Sequence, residues 1–113
     1  NLKNYNSKQI KEIFSETLDE LIVSEKLNYP DLIKLDTQGS ELDIIAGSLN
    51  SLDSCKVIIC EIPIFEYNIG APKFAEYLEF FHKIGFEPTS ILEGHHLNGR
   101  MTQLDFGFVK VRL

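Results

Sequence analysis

Asp31-Leu32-Ile33-Lys34-Leu35-Asp36-Thr37-Gln38-Gly39-Ser40-Glu41 is the stretch on which the fold turns. Pro30 breaks the chain ahead of it, and Leu32 to Asp36 is short and mostly apolar, as a buried strand should be. Thr37-Gln38-Gly39 supplies turn residues, and Ser40 stands where a helix N-cap is preferred, with Asp43 three residues on. Leu42, Ile44, Ile45 and Leu49 give the following helix a buried side, and Gly47 marks its expected end. In open α/β sheets such a strand-turn-helix lies at the edge where ligands bind.

Upstream, two readings stay open. Ile10, Ile13, Phe14, Leu18, Leu21 and Ile22 recur at helical spacing, which makes Lys8 to Lys26 one helix. Thr17-Leu18-Asp19-Glu20 also matches a capping box, which starts a helix afresh at Thr17 and leaves Ile13 to Glu16 as a short strand or bend.

Downstream, Ser54 to Ile62 is rich in Val and Ile and apolar on both faces at Val57-Ile58-Ile59-Cys60, the pattern of a central parallel strand. Pro63 to Ala71 is a loop. Pro72 suits the first turn of a helix whose stripe is Phe74, Tyr77, Leu78, Phe81 and Ile84, closed by Gly85. Phe86 to Leu92 is a third strand, Glu93 to Arg100 a Gly- and His-containing connection, and Thr102 to Val111 a fourth strand. The alternation is that of an α/β sheet, and the short last link makes the final pair antiparallel. The fourth strand is apolar on both faces, with Leu104, Phe106 and Phe108 on one and Val109 and Val111 on the other, so it is expected inside the sheet.

The chain has 113 residues, enough for one α/β domain over 1–113 and one core. A net charge of -6 with only two arginines argues against nucleic acid as a direct partner. No apolar run is long enough to span a bilayer, and the polar start is no secretory signal. The missing initiator Met suggests a chain processed or cut from something longer. Cys55 and Cys60 are read into one strand at an odd separation, on opposite faces, which disfavours a disulfide or shared metal and points to buried thiols in a reducing, cytoplasmic setting.

An antiparallel fourth strand enters the sheet where its parallel neighbours end. Gln103 and Asp105 should therefore meet Asp36, Gln38, Glu41 and Glu61 in a cleft able to bind a polar ligand and orient an acid or base. The structural alternative is that Asp36 and Ser40 cap the helix and Glu41 answers its dipole. Adjacent His95 and His96 diverge on an extended backbone and read as a solvated loop, so no metal is expected. His82 suits the last turn of its helix.

Thr17-Leu18-Asp19-Glu20-Leu21 followed by Asp31-Leu32-Ile33-Lys34-Leu35-Asp36-Thr37-Gln38-Gly39-Ser40-Glu41 resembles the FkbM family of S-adenosylmethionine-dependent methyltransferases. Glu61-Ile62-Pro63, Tyr67-Asn68, Ala71-Pro72, Gly85-Phe86 and Gln103-Leu104-Asp105 extend the resemblance from about Thr17 to Val111. It implies the C-terminal half of a class I, Rossmann-like methyltransferase sheet, with the last strand antiparallel and inserted between neighbours. It implies methyl transfer to a hydroxyl of a small molecule or glycan, with Asp36 and Glu61 catalytic and Asp36 and Gln38 on the cofactor side. Glu41, Tyr67, Asn68, Gln103 and Asp105 would then contact the acceptor. The family's first strand, glycine-rich cofactor loop and ribose-binding acid precede the T-L-D segment and are not found here. A fragment or natural remnant is thus expected, one that by itself neither holds the cofactor nor turns over.

Two other readings remain. An α/β interaction module would self-associate through Leu32 to Asp36 as an exposed sheet edge. A metal-dependent hydrolase would use His95, His96 and Asp105.

Overall fold

The computed structural model describes residues 11–65 and 70–111. Helix α1 is Leu18–Ser24, and the residues from 11 to 17 have no regular structure. The capping box decides between the two upstream readings. The Thr17 hydroxyl accepts from the Glu20 amide at 3.1 Å, and the Glu20 carboxylate accepts from the Thr17 amide at 3.4 Å. Ile13 and Phe14 are exposed, so their helical spacing marks no buried face here.

Strand β1 (Leu32–Leu35) leads into α2 (Glu41–Ala46), which Gly47 ends. One 3-10 turn, Ser51–Asp53, precedes β2 (Val57–Pro63). Cys55 therefore lies ahead of the strand that was expected to hold it. Both thiols are free and buried, and burial raises the pKa of each. Helix α3 is Phe74–Lys83 with Lys73 as its N-cap, so Pro72 stands just outside the first turn rather than in it. Gly85, at φ +88°, takes the left-handed conformation that lets the chain leave α3.

Strand β3 runs from Phe86 to Leu97 and β4 from Arg100 to Lys110, joined only by Asn98 and Gly99. Both turn residues have positive φ, +53° and +76°, as a two-residue hairpin of matching twist requires. The supposed connection, with its histidines, is thus mostly strand.

The sheet order is β1-β2-β4-β3. β1 and β2 are parallel, and β4 runs antiparallel to both its neighbours, inside the sheet as expected. Burial alternates along β2: Ile58, Cys60 and Ile62 are buried, and their odd-numbered neighbours are half-buried. Leu104, Phe106 and Phe108 of β4 join the buried set, together with Leu35, Ile45, Tyr77 and Phe81. Phe81 stacks on Phe108 with ring centres 4.2 Å apart. Glu61 and Asp105 fall on the other parity of their strands, off this core.

Candidate active site

The site is built at the carboxyl end of β1 and β2. After Leu35 the chain reverses through Gln38 at φ +58° and Gly39 at φ +129°. For Gln38 this is a sparsely populated conformation that needs support from its surroundings. Glu41 provides it. One carboxylate oxygen accepts from the Thr37 amide at 3.2 Å, and the other accepts from the Gly39 amide at 2.9 Å and the Tyr77 hydroxyl at 3.1 Å. Glu41 is only 1% exposed, so its carboxylate is committed to the turn and to α3 rather than turned to a ligand. Burial, and then the charge of Glu41, raises the Tyr77 phenol, which keeps it a donor. Ser40, expected to cap α2, makes no side-chain cap bond.

Sheet register brings the remaining acids together. Glu61 of β2 lies directly opposite Asp105 of β4, and Pro63 lies opposite Gln103. The Asp36 side chain, just past β1, lies close enough to Glu61 to act on its carboxyl. The Glu61 carboxyl is pushed above its ordinary range, first by burial, then by the neighbouring Asp36, then by the charge of Asp105. The His95 imidazole opposes this. A carboxyl so placed holds a proton more tightly than a surface glutamate and is suited to proton transfer.

Gln38, Glu41, Glu61 and Gln103 line one cleft of about 350 Å³, with Pro72 and the hairpin residues Leu97 and Thr102 among its other walls. Four of the six residues expected to converge thus line the cleft, while Asp36 and Asp105 act on Glu61 without lining it. Tyr67 and Asn68 lie outside the described residues.

His95 belongs to this neighbourhood, although two adjacent histidines predict a solvated loop. Its Nε2 is 3.6 Å from an Asp105 carboxylate oxygen. His96 is exposed. The signal at Asn98-Gly99 could have set His95 on a hairpin strand, but counting back from a two-residue turn pairs it with Thr102, and only the register shift between His95 and His96 brings it opposite Gln103.

The profile of the "Methyltransferase FkbM domain" family matches residues 2–88. Over 44 residues the chain is 39% identical to "Hexuronic acid methyltransferase AglP" of Haloferax volcanii, a stretch that covers 39% of this chain and 18% of that protein. The chain thus matches less than a fifth of the length of this curated relative. No solved structure matches it. The family match begins before Thr17 and stops at Pro88, so the resemblance drawn on through Gln103-Leu104-Asp105 reaches past it. With 87 of its 113 residues inside the matched span, the chain belongs to the FkbM methyltransferase family.

Proposed function

We propose that the protein transfers a methyl group from S-adenosylmethionine to a hydroxyl of a small-molecule or glycan acceptor. The carrying observation is the closeness of Asp36 and Glu61 where two parallel strands end, with Glu61 also lining the cleft. Family membership supports methyl transfer, and the name of the relative supports a sugar as the kind of acceptor. The fold assigned is the acceptor-side half of a Rossmann-like methyltransferase sheet, a reading that the order β1-β2-β4-β3 with an inserted antiparallel strand supports.

The residues present suit part of the cofactor. A sulfonium is cationic, and the carboxylate of Asp36 with the side chain of Gln38 offers a negative, polar surface for it. When bound, S-adenosylmethionine supplies the electrophilic methyl. Glu61, with Asp36, receives the proton of the acceptor hydroxyl and orients that oxygen; Gln103 and Asp105, with Tyr67 and Asn68, position the rest of the acceptor. Glu41 acts by keeping the Thr37–Gly39 turn in place beneath Gln38. Loss of a positioned acid or base costs about 10²- to 10⁴-fold in rate. Asp36→Asn and Glu61→Gln in the intact protein should each lower kcat by about 100-fold or more, read as transfer of labelled methyl. Full activity in both variants would remove these roles.

A second reading, self-association through β1, is favoured by the edge position of that strand. It is compatible with the first, and sedimentation tests it.

A further inference from the structure

We infer that Glu61, His95 and Asp105 form a binding site for a first-row divalent cation beside the cleft. One ligand atom from each residue lies within 4.8 Å of the other two. The three come from β2, β3 and β4, so their separation is set by sheet register rather than by a loop. Glu61 faces Asp105 directly, and a register shift that leaves Thr102 of β4 unpaired sets His95 opposite Gln103 and His96 opposite Met101.

Two of the atoms ask for a partner. His95 Nε2 and Asp105 Oδ1 are shielded from solvent, and neither has a hydrogen bond among the described residues. They stand 3.6 Å apart, too far for a direct hydrogen bond. Two ligands of a tetrahedral ion, each about 2.0–2.2 Å from it, would be separated by roughly 3.4 Å. An ion between them would satisfy both atoms with little movement.

Charge points the same way. Asp36 and Asp105 both act on Glu61, and Glu93 comes to 4.0 Å from His95 Nε2, so carboxylates outnumber the one imidazole among them. A divalent cation offsets that excess. The donor set of one nitrogen and two oxygens selects among cations: Mg²⁺ and Ca²⁺ prefer all-oxygen shells, whereas imidazole suits the first-row metals. Three protein ligands leave a coordination position open, and Glu61 is shared with the cleft wall. His95 and Asp105 both lie beyond residues 2–88, the span that the family profile matches.

The test is calorimetric titration of the chelator-treated intact protein with MnCl₂. One ion per chain is expected. His95→Ala and Asp105→Asn should each weaken binding by about tenfold or more, and His96→Ala and His82→Ala should not. Mn²⁺ should raise the melting temperature of the wild type and not that of His95→Ala, while the circular dichroism of unliganded His95→Ala reports that it is folded. A folded His95→Ala that binds like the wild type overturns the site. So does absence of binding at millimolar Mn²⁺, or equal loss in His96→Ala. Displacement of Mn²⁺ by an equal concentration of Mg²⁺ overturns the first-row assignment. None of these readings involves methyl transfer, so the site and the proposed function stand or fall separately.

Discussion

Asp19 accepts from the Asn50 amide at 2.9 Å, the Ser51 amide at 2.8 Å and the Ser51 hydroxyl at 2.5 Å. Burial alone would raise its pKa, but the hydrogen bonds from Ser51 and Asn50 outweigh that and lower it. A lowered folded pKa means stability that is present above the ordinary value of 3.8 and is lost as pH falls through the folded value. Asp19→Asn should therefore cost about 1 kcal/mol near neutral pH, with the gap to the wild type closing below the ordinary value. Urea unfolding across a pH series measures it, and a gap constant with pH would refute the ionic origin. At this scale the sequence was only partly legible. Asp19 could be recognised within a T-L-D pattern, but its partners some thirty residues away could not. Glu41 was legible as an acid beside a turn, and its bond to Tyr77, 36 residues on, was not.

At the scale of elements, Gly47 joins α1 to α2. Its φ is negative, at -89°, so left-handed geometry is not the reason for glycine there. A Cβ at position 47 would come within 2.8 Å of Thr17 Cγ2 and 3.0 Å of Thr17 Cβ, while the Gly47 carbonyl accepts from the Asp19 amide at 3.2 Å. Gly47→Ala should destabilise the protein by about 1–3 kcal/mol by forcing the two helix ends apart. In a thermal melt Thr17→Ser, which removes the nearest methyl group, should recover part of that loss in the double variant. An unchanged melting temperature in Gly47→Ala would show that Thr17 can give way. The hairpin teaches a different lesson. Residues 86–97 are almost all exposed past Phe86, so burial gave their sequence no clean alternation. Periodicity ended the strand too early, where turn chemistry at Asn98-Gly99 would have carried it to Leu97.

At the scale of the molecule, among the described residues β1 pairs on one side only, because the order β1-β2-β4-β3 leaves it at an edge. Leu32 is half exposed there, and an unpaired strand is a template for another chain. Sedimentation velocity of this chain should show a species larger than the monomer at tens of micromolar, concentrations at which exposed edges commonly associate. A stable monomer would remove the self-association reading. No helix among the described residues is long and apolar enough to cross a membrane. By itself, the sequence determined the alternation of strands and helices, the internal place of β4 and the strand-turn-helix at Asp31 to Glu41, because hydrophobic period and turn residues are local signals. It also placed six polar residues at one sheet edge, because strand direction follows from connection length. Only the tertiary structure decided that Glu41 is a buried brace and that His95 stands beside Asp105. Those facts depend on contacts between distant segments and on β-strand irregularities, which leave no period in the chain.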